Sequence, residues 1–437
     1  MVIDPRGWFY AVVCALVCFT APAAAMAPIE HWRTDNGARV YFVPAPELPM
    51  VDVQVVFDAG GARDGGRPGL AQFTHHLLDK GAGGLSADDI AARLEGVGAR
   101  MGGQSLRDMA VLTLRSLSDR KYLEPALEVF AQVLTRPDFN AADVDRERER
   151  LLIGLQYAQQ QPGEVAEKAF YAGLYGDHPY AAPPEGTAES LKAIDRAALR
   201  DFHARYYVAR NAVVAIVGDL DRAQAEALAA RLTRGLPEGE RAPKLPPVPE
   251  LSEAVERHIE HPSSQTHILV GQPGMRRDDP DYFALYVGNY VLGGGGLVSR
   301  LSTEVREKRG LSYSVYSYFL PMAQQGPFQM GLQTRNDQAD EALKVLRATL
   351  AQYVAEGPTA EELEAAKKNI TGGQALRIDS NRKILEYLAV IGFYDLPLDY
   401  LETFNGKVEA LTLEQIRDAF KRRLQPARML TVRVGGG

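Results

Sequence analysis

Apolar and polar residues alternate over several short stretches: Tyr41 to Pro44, Asp52 to Phe57 and Val111 to Leu117. A period of two places one set of side chains on each face, as half-buried strands require. Elsewhere the period lengthens. Tyr122 to Leu134 and Ala339 to Val354 carry apolar residues at helical spacing, and each follows an alternating strand, Met109 to Leu117 and Phe328 to Thr334. Ser86-Ala-Asp-Asp puts an acceptor and a carboxylate at a helix start, Leu94 follows on the apolar face, and Gly96 and Gly98 end the helix. Strands and helices mix without a βαβ rhythm, which indicates an α+β layer rather than a doubly wound sheet.

The pattern occurs twice. Ala193-Ile194, Arg200-Asp201 and the apolar run Asn211 to Gly218 recur as Ala410-Leu411, Arg417-Asp418 and Arg428 to Gly435. Asn140-Ala-Ala-Asp-Val-Asp-Arg likewise matches Thr359-Ala-Glu-Glu-Leu-Glu-Ala. Two homologous modules follow, each expected to be an antiparallel sheet with helices on one face, together forming a clam-like shell around a polar cavity. The expected division is a leader at 1–25, a first module at 26–235, a linker at 236–256 and a second module at 257–437. Leu236 to Glu250 has the prolines and charges of an extended connection, where a protease should cut first and leave two fragments of similar mass.

Length changes little in this picture, since 437 residues suit two modules. Charge excludes more. The 49 basic and 56 acidic residues give a net −7, which offers no basis for electrostatic capture of nucleic acid or anionic lipid. The N-terminus reads as an export signal: Arg6, an apolar run from Trp8 to Thr20, then Ala23-Ala24-Ala25. That run is short for a bilayer of about 30 Å, so no membrane segment is expected after cleavage, and the chain is expected in the periplasm or secreted. Cys14 and Cys18 both lie in the leader, so the mature chain has no cysteine for a disulfide, a nucleophile or a zinc site.

Candidate chemistry concentrates in Gly69-Leu-Ala-Gln-Phe-Thr-His-His-Leu-Leu-Asp-Lys-Gly81. On a helix, positions 72 and 76 share a face with 75 beside them. Two histidines at that spacing grip one zinc, and a carboxylate between them activates water, as in His-x-x-Glu-His. Here the three positions hold Gln72, His75 and His76. The chain resembles the pitrilysin/insulysin family of inverted-motif zinc peptidases, in the two-domain form that includes the mitochondrial processing peptidase. The likeness rests on Gly69-Leu70-Ala71, Leu77, Lys80-Gly81, Tyr175-Gly-Asp-His-Pro-Tyr180, Glu185-Gly-Thr-Ala-Glu-Ser-Leu191, Asn211 to Gly218 and Leu292-Gly-Gly, and it covers nearly all of the mature chain.

Against that family pattern the zinc motif is degenerate. The first ligand is replaced by Gln72 and the catalytic glutamate by His75. The family spacing to the third ligand arrives at Ile153, followed by Gly154. Only His76 remains. His75 and His76 point about 100° apart on a helix, so both do not easily reach one ion. His178, before Pro179-Tyr180, reads as a structural loop residue.

In the second half, Leu301 to Arg309 reads as a helix stopped by Gly310, and Leu311 to Phe319 as a strand. Arg306 and Tyr313 resemble the family's arginine–tyrosine pair, which implies that they hold the substrate backbone and donate to the attacked carbonyl. Considered without the family, Arg306 is a solvated charge beside Glu304 and Glu307. Gly293 to Gly296 reads as a flexible turn. The combination implies a non-catalytic, substrate-binding subunit of a heterodimeric zinc endopeptidase. No cofactor is expected on this chain; zinc is expected on a homologous partner with an intact motif, and the substrate is a peptide. A structural or peptide-binding protein without catalysis, and an autonomous peptidase with atypical ligands, are the other readings.

Overall fold

The computed structural model describes residues 27–436; the expected leader and both cysteines lie outside them. The first half supplies β1 (Glu30–Arg33), β2 (Arg39–Pro44), β3 (Met50–Phe57), the short hairpin β4 (Gly81–Ala82) and β5 (Leu85–Ser86), β6 (Arg100–Ser105), β7 (Ala110–Leu117) and β8 (Ala212–Gly218). Its helices are α1 (Leu70–Leu77), α2 (Ala87–Gly96), α3 (Arg120–Thr135), α4 (Ala141–Gln159), α5 (Pro162–Tyr175), α6 (Ala188–Ala193), α7 (Arg196–Tyr206) and α8 (Arg222–Thr233). The second half supplies β9 (Val255–Ile259), β10 (Gln265–Pro273), β11 (Val315–Phe319), β12 (Pro327–Arg335) and β13 (Leu430–Val434). Its helices are α9 (Tyr282–Asn289), α10 (Ala339–Glu356), α11 (Ala360–Gly372), α12 (Gln374–Arg377), α13 (Asn381–Phe393), α14 (Tyr400–Glu409) and α15 (Leu413–Arg423).

The duplication is present in the strand order. The first sheet runs β1-β2-β8-β3-β7-β6 and the second runs β9-β13-β10-β12-β11, which is the same order without β1. Each sheet is antiparallel apart from one parallel pair, β2 with β8 and β9 with β13. In both halves the last strand returns after a long helical excursion and so enters alongside the first in the same direction. The helix start at Ser86 forms as expected: Ser86 Oγ accepts from Asp89 N at 3.1 Å and the Asp89 carboxylate accepts from Ser86 N at 3.0 Å.

Helices cover one face of each sheet, as expected, but the other face is covered too, by a helix from the opposite module. α13 lies on β2, β8 and β3 of the first sheet, while its equivalent α5 lies on β10 and β13 of the second. Central strands therefore face two cores. Val213, Ala215 and Val217 of β8 join the core shared with the second module, and Ala212, Val214 and Ile216 join the first module's own. This explains why β8 is a continuous apolar run rather than an alternating one. Glycines permit the close approach: a Cβ on Gly392 of α13 would lie 2.6 Å from Tyr41 and Val213, and one on Gly173 of α5 would lie 2.9 Å from Leu430.

Polar groups tie the same seam. Asp108 accepts hydrogen bonds from Tyr180 Oη at 2.6 Å, Ala323 N at 2.8 Å and Tyr394 Oη at 3.0 Å, joining both modules at one buried carboxylate. Burial pushes its carboxyl up, and these donors oppose the shift. Arg39 of β2 pairs with Asp395 just past α13 and donates to the Gly392 carbonyl at 2.7 Å. The connection between modules has no helix or strand from 237 to 254, but it is not a free tether. Leu245 and Val248 are buried, Gln324 donates to the Leu245 carbonyl at 2.9 Å, and His178 Nε2 donates to the Pro246 carbonyl at 3.0 Å. His178 is thus the structural residue expected. α5 and α13 cross between the modules on either side of this segment, so fragments from a cut here are expected to stay associated until denatured.

Candidate functional site

α1 is fixed at its start by Asp64, whose two carboxylate oxygens accept from Gly69 N and Ala71 N, each at 2.8 Å. Burial raises this carboxyl to about 7, with the two amide bonds working against the shift. Gly69 adopts φ +90°, and a Cβ there would sit 2.9 Å from Gly186 Cα. The two distant stretches Gly69-Leu-Ala and Glu185-Gly-Thr therefore meet backbone to backbone. Leu70, Phe73 and Leu77 anchor the inner face of α1.

At its far end the helix delivers His75 and His76 into one cavity of about 260 Å³, where Glu147 and Arg150 of α4 also line the wall. The histidines diverge, with ring centroids 6.4 Å apart. His75 is buried flat against β6: a Cβ on Gly103 would lie 2.8 Å from its Cε1 and Nε2. Its Nδ1 has no partner, and burial, helped by His76, pushes the imidazole down to about 4, so it is neutral. His76 turns the other way, with Nδ1 3.0 Å from Glu147 Oε1, and Arg150 Nε lies 3.7 Å from the same oxygen. Gln72 does not line this cavity. Ile153 does not either; it is 53% exposed, on the outward side of α4. Among the described residues no group of three or more His, Cys, Asp and Glu is arranged to hold a metal ion.

Glu147 is the residue that counting along the chain missed. The spacing passes over it to Ile153, in a stretch where seven of the residues from Asp143 to Arg150 are charged. Its signal was phase rather than type. Val144, Glu147 and Leu151 recur at i, i+3 and i+7, and Val144 and Glu147 are the buried residues of α4.

The second-module pair has the opposite character. Arg306 sits in a π-helical turn, Ser302–Glu307, and its guanidinium carbon lies 5.0 Å from the Tyr313 ring centroid. Glu304 pairs with Lys308 at 2.6 Å and Arg309 at 2.7 Å rather than with Arg306. Tyr313 is 84% exposed. The strand expected from Leu311 begins only at Val315, because Ser312 Oγ, with one proton shared between the carbonyls of Ser314 and Gln333 at 2.7 Å each, turns the chain first. The flexible turn expected at Gly293 to Gly296 is instead packed at its start: Gly293 and Gly294 end a π-helical stretch, Tyr290–Gly294, and a Cβ on Gly293 would strike Ser317 of β11. Neither Arg306 nor Tyr313 lines the cavity of His75 and His76.

Comparison with known proteins places both halves. The family model described as insulinase (peptidase family M16) matches residues 39–188, and that described as peptidase M16 inactive domain matches residues 193–370. An uncharacterized zinc protease of Mycobacterium leprae is 31% identical over 403 residues, spanning 90% of this chain and 89% of its own. The chain belongs to peptidase family M16. The crystal structure of a peptidase M16 inactive domain from Pseudomonas fluorescens superposes with a TM-score of 0.91 at 44% identity, covering 94% of this chain and 98% of its own. A Helicobacter pylori protein described as a non-peptidase homolog is 26% identical over 379 residues, 86% of each chain. In this M16 chain the α1–α4 corner holds one imidazole–carboxylate pair and one buried neutral imidazole.

Beside that corner runs β6, the edge of the first sheet, paired only to β7 among the described strands. Met101, Gly102 and Gly103 of this strand line the cavity of His76. An open edge offers backbone donors and acceptors to an added strand.

Proposed function

We propose that this M16 chain is the non-catalytic, substrate-binding member of a two-subunit zinc endopeptidase, with a homologous partner that carries His-x-x-Glu-His. The observation that carries the reading is an asymmetry. The donor set of the first module does not fit zinc, since Gln72 and Ile153 fall outside the cavity and Glu147 is already engaged by His76. The second module nevertheless keeps Arg306 stacked on a Tyr313 that is 84% exposed, an arrangement with no packing reason. Guanidinium and phenol both donate hydrogen bonds, and in the assembled pair they hold the carbonyl oxygens of an extended peptide near the partner's reacting centre. The open edge of β6 supplies backbone pairing for the same peptide. The complex acts in the periplasm or outside the cell, after removal of the leader.

A catalytically silent peptide-binding role without a partner is the second reading, favoured by the likeness to the H. pylori non-peptidase homolog. Co-purification from the native envelope separates the two. The first reading expects a homologous chain with an intact motif, and peptide cleavage only when both chains are present. Cleavage by this chain alone, lost in His76→Ala, overturns both.

A further inference from the structure

The face of the first sheet that receives α13 is apolar along β2 and β8 and at Val56 of β3 and Val111 of β7. Toward β6 it becomes polar, in rows set by the strand register. Arg100 stands opposite Arg115, which stands opposite Asp52; Gly102 stands opposite Thr113, and Thr113 opposite Gln54. Arg382, Leu385 and Glu386 of α13 wall this polar floor, leaving a groove of about 450 Å³. It lies on the opposite face of β6 from the His75–His76 cavity, because Met101 and Gly103 alternate with Arg100, Gly102 and Gln104.

Two features of the groove lack a structural explanation. Two like charges, Arg100 and Arg115, sit directly across from one another, which costs stability in a sheet. Asp52 answers only Arg115, through bonds of 2.6 and 3.2 Å, and Arg100 has no ion pair among the described residues. Overall the groove sets three guanidinium groups, Arg100, Arg115 and Arg382, against two carboxylates, Asp52 and Glu386.

We infer that this groove is a subsite for an acidic side chain, aspartate or glutamate, of a peptide paired along β6. The inference rests on the peptide-binding reading above and adds selectivity to it. A strand added to β6 sends alternate side chains to its two faces. One set enters the His75–His76 cavity. The other enters the groove, where the Arg100 guanidinium on the neighbouring strand meets the carboxylate in a charge-assisted contact.

The test uses nine-residue, fluorescein-labelled peptides, blocked at both ends, with Glu, Gln or Lys placed at each position in turn. Binding to the purified mature chain is followed by anisotropy. Glu is expected to bind roughly tenfold more tightly than Gln, and Lys most weakly, at alternate positions only. In Arg100→Ala/Arg382→Ala the preference disappears while affinity for the Gln peptide is retained; both side chains are exposed, so the fold is not at stake. A benzophenone placed at the acid-preferring positions labels α13, and one residue away it labels α1 or α4. Peptides that bind with no preference among Glu, Gln and Lys, or a preference that survives in the double variant, overturn the acidic subsite but leave peptide binding standing. If no peptide of the set binds, the peptide-binding reading falls and the subsite with it.

Discussion

The α1–α4 corner of the first module and the Arg306–Tyr313 turn of the second differ in what holds them. In the corner both histidines are engaged: His75 fills the space against Gly103, and His76 closes on Glu147. At the turn Tyr313 is 84% exposed and touches Arg306 in a contact worth about 0.5–1 kcal/mol at an exposed site. Stability accounts for the corner and leaves the turn unexplained. Side chains held by packing carry little information about activity, whereas the proposed peptide contact rests on an exposed aromatic–guanidinium pair that packing does not require.

The largest expected effect tests whether the two regions belong to one body. Phe170 of α5 is fully buried and reaches across to Gly271 of the second sheet. Phe170→Ala is expected to destabilise by about 3–5 kcal/mol, with both modules unfolding in a single urea transition. Two separated transitions, one per module, would show that helix exchange does not couple them.

Next comes the exposed turn. In the complex with a zinc-bearing partner, Arg306→Ala or Tyr313→Phe should depress peptide cleavage by roughly 100–1000-fold, as loss of a carbonyl-directed donor does, with assembly intact. Turnover and Michaelis constant are followed separately, since uniform binding and transition-state contacts divide differently between them. Full activity in both variants would reduce the turn to surface decoration.

A third effect sharpens the contrast through pH. His203 on α7, half-buried and bonded from Nε2 to the Leu134 carbonyl at 3.1 Å, is pushed down to about 4 by desolvation. The unfolded chain protonates first, near 6.5, so this contribution to stability is full above that pH and is lost as pH falls toward 4. The loss amounts to about 3 kcal/mol, and His203→Leu should flatten this part of the pH–stability curve. An unchanged slope in the variant would assign the acid sensitivity elsewhere. Smallest of all is Ile153→Ala, expected within about 0.5 kcal/mol of the parent in denaturant melts because the side chain is 53% exposed. A larger loss would mean that α4 uses its outer face.

Much of this fold was legible in the chain. The duplicated strands, the Ser86 helix start and the α+β layering all follow from periodicity and capping, which are local. The exchange of α5 and α13 was not legible, because both helices carry ordinary amphipathic patterns and nothing in a pattern names the sheet they cover. The continuous apolar run of β8 was the available hint that a second face needed covering. At the site, the chain places His75 and His76 side by side on α1, whereas Glu147 was hidden among alternating charges and became visible only by its phase on α4. The delayed start of β11, at Val315, depends on Ser312 bonding across to Gln333, a long-range contact that no local pattern encodes.

The most direct test is a titration of the isolated mature chain with a labelled peptide, with and without a zinc chelator, followed by mass spectrometry of the peptide after prolonged incubation. The account predicts saturable binding that the chelator does not change, weakened by Tyr313→Ala, with the peptide recovered intact. Cleavage that the chelator stops and that His76→Ala abolishes would contradict it.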